Sequence, residues 1–325
     1  MPESPLNKVI VHVNQLLLIS EYYQRFSILS ERSKINCIRR LIDLEYLKMH
    51  KNQSNSPETH KFSARKPDFD LSALSGEWHR GSAFLTAWEN AFSMLFPLGE
   101  QSFINSVIFF KDQIDDPKLL KEISDFQEQE AIHRMQHLKY NKLLCKLRGY
   151  NLEEIEAPLR KRIAWYRENI SARRRLAGTV AAEHLTAILA DDLLRHKDHF
   201  KGSDENIAKI WKWHAVEETE HKAVAFDVHV AVGGTIQERR QALLFTTYYI
   251  HKDILKIVCM MLKKNGKLWN LREWFNGFVF LFIKPGVFRR IFTAWLAFFS
   301  KDFHPWKKDN RHLISEWEKK SFPNY

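Results

Sequence analysis

The chain has 325 residues, a formal net charge of +11 and 45% hydrophobic side chains, enough apolar material for a full-sized core. Only 11 glycines and 10 prolines argue against a turn-rich β fold, and three scattered cysteines (Cys37, Cys145, Cys259) argue against a disulfide framework and for a reducing, cytoplasmic setting. The positive charge is spread along the chain without a nucleic-acid-binding module, so it reads as a solvated basic surface and no nucleic-acid partner is expected.

In chain order, residues 1–50 have helical character, although Val9–Ile19 is broken by His12, Asn14 and Gln15 and is no secretory signal. Residues 51–76 are polar and punctuated and read as a linker. A first long helix is expected over 82–112, bent at Pro97-Leu98-Gly99. Asp116 followed by Pro117 opens a second helix, which runs to Leu147 and stops at Gly149. Asn151, with Glu154 three residues on, opens a connecting helix. A third long helix covers 171–198. After Gly202-Ser203, the acidic pair Asp204-Glu205 starts a fourth, expected to reach Gly233-Gly234. Thr235 with Glu238 forms a capping box for a further helix ending near Asn265-Gly266.

Each of the four long helices carries acidic or imidazole groups near its middle. They are Glu100 in FPLGEQSF, Glu130 and His133 in QEQEAIHRMQH, Glu183 in AAEHLTA, and Glu218 and His221 in WKWHAVEETEHKAVAFD. The order is E, ExxH, E, ExxH. A helix turns about 100° per residue, so i and i+3 lie about 60° apart on one face. Four such faces turned inward supply four carboxylates and two imidazoles, a ligand set suited to two metal ions in a helical bundle. Such carboxylates sit in apolar surroundings (Phe96, Leu98, Phe103 and Ile104 flank Glu100), and their burial requires a compensating cation.

His214 precedes Glu218 by four residues and His221 by seven, so it projects on the same stripe and is expected as a third imidazole ligand. It would give the ion near His221 a second nitrogen and make the two ions distinct. A rise of about 10 Å over seven residues would then demand a reach from opposite sides or a local π-bulge. Glu217 lies on the same stripe and competes with Glu218. His137 reads as a supporting or surface group, and His184 points about 100° away from Glu183.

At FPLGEQSF, FQEQEAIHRMQH, AAEHLTA, WHAVEETEHKAVAFD and FHPW (Phe303–Trp306), the chain resembles a bacterial family of predicted metal-dependent hydrolases, over about residues 65–306. The ligand order is also similar to that of ferritin-like di-iron oxygenases. HxxxExxH on the last helix resembles the aminoarene N-oxygenases, which carry an extra histidine. The implied fold is all-α: a ferritin-like four-helix bundle with additional N- and C-terminal helices. The implied layout is an extension and linker over 1–76, the dimetal domain with C-terminal aromatic helices over 77–306, and a tail over 307–325. The implied cofactor is two metal ions, iron expected, with manganese or zinc as alternatives. Their ligands are Glu100, Glu130, His133, Glu183, His214, Glu218 and His221.

Three functions suit this set. The first is O2-dependent oxidation of a small, largely apolar organic substrate, which calls for an electron donor. The second is hydrolysis by a metal-bridging hydroxide, and the third is iron binding or storage. The basic, aromatic stretch Leu268–Phe299 reads as a helix pair packed over the bundle, with peripheral membrane contact as the alternative. Its longest apolar run, Gly277–Ile283, is too short to span a bilayer. Nothing in the sequence decides the oligomeric state.

Overall fold

The computed structural model describes residues 53–321. The helical expectation for residues 1–50 lies outside them. Among the described residues every regular element is helical: α1 (Ala83–Ile108), α2 (Pro117–Arg148), α3 (Leu152–Asn169), α4 (Ala172–Arg195), α5 (Glu205–His221), α6 (Val224–Ala231), α7 (Ile236–Lys264), α8 (Leu271–Phe278), α9 (Val287–Ala297) and α10 (Arg311–Ser321). A π-helical segment, Val279–Ile283, follows α8. The all-α class expected from the sequence is what the chain adopts.

The starts are set by local chemistry. Asp116 accepts from the Lys118 and Leu119 amides, and Pro117 occupies the first helical position, where a missing N–H costs nothing. Asn151, Ser171 and Asp204 cap α3, α4 and α5 in the same manner. Thr235 and Glu238 form the expected capping box on α7. Gly149, at φ 66°, takes the left-handed conformation that ends α2.

Helix α1 packs on α2, α4 on α5, and α7 lies across both α1 and α4. Buried Ala91, Met94, Ile132, Tyr140, Leu144 and Trp213 fill one part of the interior, and Val107, Phe126, Leu176, Val180 and Val228 fill another. At about 25 cal/mol per Å² of apolar area removed from water, these layers dominate stability.

Three expectations differ from what is found. The fourth helix does not run to Gly233 but breaks after His221 and resumes as α6. The carbonyl of Glu220, which a continuing helix would pair with the Val224 amide, accepts instead from His60 Nε2 at 2.7 Å. Buried Lys222 is drawn aside, donating to the Lys308 carbonyl and to Asn310 Oδ1. The first helix ends at Ile108 rather than 112, and the third at Arg195 rather than 198. Finally, the stretch expected as a linker is bonded along α2. Ser54 meets Asp116, Ser63 meets Gln129, Pro67 meets Gln136, Asp68 meets Lys139 and Leu74 meets Arg148. Both numberings rise together, so this strap runs parallel to the helix. Its backbone groups are satisfied by side chains instead of by a ladder of its own.

Helices α8 and α9 pack on α1 and α4 respectively. An ideal Cβ at Gly277 would lie 2.3 Å from a ring carbon of Phe84, so α8 sits against α1 only because this position has no side chain. Gly277→Ala should therefore cost about 1–3 kcal/mol through overpacking. Gly178→Ala, where a Cβ meets nothing within 4 Å in the middle of α4, should be neutral or add about 0.5–1 kcal/mol. Urea unfolding of the two variants measures the contrast.

Candidate metal centre

The seven predicted side chains meet in the interior. Glu100 comes from α1, Glu130 and His133 from α2, Glu183 from α4, and His214, Glu218 and His221 from α5. All are buried, between 0% and 4% exposed. One ligand atom each from Glu100, His133 and His214 lie within 4.8 Å of one another, and Glu130, Glu218 and His221 form a second such group. Glu183 joins the second group, its Oε2 3.5 Å from His221 Nε2.

Two carboxylates reach both groups. Glu130 places Oε1 3.2 Å from His221 Nε2 and Oε2 4.0 Å from His133 Nδ1. Glu218 places Oε2 3.5 Å from His221 Nε2, while its Oε1 is 2.8 Å from His214 Nε2 and 3.9 Å from His133 Nδ1. The arrangement is thus two adjacent binding groups joined by two carboxylates. His214 belongs with His133 and not with His221, which corrects the expectation that it serves the ion near His221. The axial rise along α5 separates them, and α5 remains a regular helix between them, without a π-bulge. Glu217 points away from the cluster, to His133 Nε2 on the outer side.

Both oxygens of Glu100, Glu130 and Glu183, together with His133 Nδ1 and His221 Nε2, are buried without a hydrogen-bond partner. Buried polar atoms are ordinarily paired, and buried carboxylates nearly always. Eight unpaired atoms facing one space are the donor set a pair of cations would satisfy. With oxygen and imidazole donors and no thiolate, the set suits iron or manganese, and also accommodates zinc.

The outer sides of the imidazoles are held so that each can offer a lone pair inward. Gln129 Nε2 donates to Glu220 Oε2 at 2.7 Å, which fixes its amide so that Oε1 accepts from His221 Nδ1 at 2.9 Å. His133 Nε2 donates to Glu217 Oε2 at 3.1 Å. For His214 the chain is longer. Ser93 Oγ donates to Asn141 Oδ1 and therefore accepts from His137 Nδ1, which leaves His137 Nε2 to accept from His214 Nδ1 at 2.7 Å. Its anchor depends on Pro97. Proline has no N–H for the Ser93 carbonyl one turn back, and Asn141 Nδ2 takes that carbonyl at 2.7 Å.

Arg65, on the strap, ties two of these chains together. Its guanidinium is bidentate to Glu220 at 2.8 and 2.7 Å, and its backbone N–H donates to Glu217 Oε1 at 3.1 Å. One residue outside the cluster's helices thereby holds Glu217, the partner of His133, and Glu220, which fixes the Gln129 that pairs with His221. Neither Arg65 nor the Ser93–Asn141 pair was singled out from the sequence. Their signal lies in tertiary contact, apart from the polar Gln129 beside Glu130. His184 faces α9, contacting the Ala294 carbonyl at 3.2 Å, in keeping with its direction away from Glu183.

Charge follows the geometry. Burial, compounded by neighbouring carboxylates, pushes Glu100 and Glu183 well above the usual glutamate range, and burial also raises Glu130. Burial opposes ionisation of Glu218 too, but the imidazoles of His214 and His221 hold it well below that range. His221 is driven well above 6.5 by Glu130, Glu218 and Glu183 despite its burial, whereas burial keeps His133 and His137 neutral. Burial raises Glu217 to about 7.

The chain belongs to the family of predicted metal-dependent hydrolases, whose sequence model matches residues 63–309. That span contains all seven candidate ligands and begins just before Arg65. Comparison with curated proteins and with solved structures returned no match.

For the metal-free protein, the raised carboxylates set a sign. A glutamate whose folded pKa exceeds its unfolded value of about 4.5 contributes no penalty below that pH and destabilises increasingly as pH rises through the folded value. Chelator-treated protein should therefore lose stability toward alkaline pH. Glu100→Gln combined with Glu183→Gln should flatten that decline relative to the parent, as read from melting temperatures across a pH series.

Proposed function

We propose that the protein is a dinuclear metal enzyme, with iron as the metal and oxidation of a small, largely apolar organic molecule as its reaction. The observation that carries the dinuclear reading is the pair of carboxylates, Glu130 and Glu218, each presenting one oxygen to each group of ligands. Glu100, His133 and His214 would hold one ion, Glu183 and His221 the other, and Glu130 and Glu218 would bridge them. When bound, such an ion pair supplies redox chemistry with O2, re-reduced by an external electron donor.

Support for oxidation comes from the asymmetry of the two groups. The group of Glu100, His133 and His214 offers two imidazoles where the group around His221 offers one, so the two ions would be chemically distinct, and such nitrogen-and-carboxylate sets suit iron. Aromatic rings keep the surroundings apolar: Phe96 lies 4.6 Å from the His214 ring and Phe126 5.0 Å from the His221 ring, centroid to centroid. The chain's own contribution is orientation. Gln129, Glu217 and His137 set which nitrogen each imidazole offers, and Thr186 Oγ1 steadies Glu218 with a hydrogen bond of 2.5 Å. Iron storage is disfavoured by this asymmetry, since retention of iron needs no distinct pair of sites. The second reading, hydrolysis of an ester or phosphoester, is favoured by the family's description and by the same bridging carboxylates.

Freshly purified protein should carry about two metal ions per chain, and Glu130→Ala with Glu218→Ala should abolish both by elemental analysis. A folded wild-type protein that takes up neither iron, manganese nor zinc would refute the centre. Anaerobic Fe(II) loading followed by O2 should give oxygen uptake at an electrode. Turnover of generic esters or phosphoesters without oxygen uptake would select the hydrolytic reading.

The outer network gives a separate expectation. Arg65→Ala frees Glu217 and Glu220 together, so metal affinity should fall about 10–100-fold in competition with a chromophoric chelator.

A further inference from the structure

In a globular protein the apolar stripe of an amphipathic helix faces the core. Helix α8 and the π segment after it carry two. Gly277, Phe280 and Leu281 are buried, with Phe280 and Leu281 in the core cluster. The other stripe, Leu271, Phe275, Phe278 and Phe282, recurs at spacings of four, three and four and is 82%, 63%, 52% and 49% exposed. Trp269 just before it is 89% exposed, and Ile283 just after it is half exposed. The stretch expected to pack over the bundle therefore does so with one face and offers an aromatic face outward.

The charge pattern selects what that face meets. Between Lys263 and Lys301 the sole acidic residue is Glu273. It is buried, accepting from Ser82 Oγ at 2.7 Å and the Phe84 amide at 3.0 Å. The exposed charges of this stretch, among them Lys263, Lys264, Arg272, Lys284 and Arg289, are all positive. A second copy docking through the same face about a two-fold axis would set like charges against one another. A bilayer with anionic headgroups complements both the rings and the cations.

We infer that the outward face of Trp269–Ile283 is a peripheral docking surface for an anionic lipid bilayer. It lies on the membrane without crossing it: among the described residues, no helix is long and apolar enough to span one. Glu273 joins this surface to the amino-terminal turn of α1, the helix that carries Glu100.

The test is cosedimentation of the full chain with vesicles of phosphatidylcholine alone or mixed with phosphatidylglycerol. Binding to the mixed vesicles is expected to exceed binding to pure phosphatidylcholine at least about tenfold and to weaken as salt rises. Arg272→Glu with Lys284→Glu, or Phe275→Ser with Phe278→Ser, should lower it by about tenfold or more. These side chains point to solvent, so melting temperatures should not move. For the unmodified chain, hydrogen exchange in peptides covering 268–299 should slow on mixed vesicles. The inference is overturned if the wild-type chain stays in the supernatant with both vesicle types. It is equally overturned if the face proves to be buried in a dimer that the Phe275 and Phe278 substitutions dissociate in sedimentation velocity.

Discussion

The structure is organised around buried carboxylates whose oxygens lack hydrogen-bond partners and face only one another and the imidazoles. Glu100, Glu130 and Glu183 lie in a closed interior with both oxygens of each unpaired. A buried charge without a partner is among the most expensive things a fold can contain. Helices α1, α2, α4 and α5 each give up a buried position to this cost. Such a cluster is tolerable as protonated acids or as ligands. In either state it makes local stability depend on something outside the polypeptide, a proton or a cation.

The remainder of the interior can be understood as the means of aiming those groups. An imidazole presents either nitrogen, and which one carries the proton is decided by its outer neighbour. Here the outer neighbours are themselves pinned: Gln129 by Glu220, Glu217 by Arg65, and His137 by Ser93 and Asn141. Pro97 takes part without touching the cluster, because the carbonyl it leaves unpaired anchors Asn141. A residue that reads as a helix defect is a condition for the order of the site.

What could be read from sequence was what is local. A cap is decided within four residues, so Asp116, Asn151, Asp204 and the Thr235–Glu238 box mark true helix starts. The ExxH spacing is likewise a property of one helix, and it singled out side chains that the fold brings together. What could not be read depends on partners distant in sequence. His214 sits with His133 because of how α2 faces α5, and the break after His221 goes with His60, which takes the Glu220 carbonyl 160 residues further on. The strap over 54–74 lacks any periodic pattern, since its order comes from side chains of α2 and α5 rather than from its own. Polarity and turn residues make such a segment look like a free connector.

That strap has a bearing on transplantation. The seven candidate ligands all lie between Glu100 and His221, so the four helices look like a self-sufficient cassette. Arg65 lies in the extended strap, 18 residues ahead of the first of them at Ala83, and the family's common region starts at residue 63, not at the first helix. A graft of the four helices into another scaffold would reproduce every donor atom and leave Glu217 and Glu220, the supports of two of its three imidazoles, without the guanidinium that holds them. The smallest portable version of this centre is the helices together with the extended stretch that precedes them.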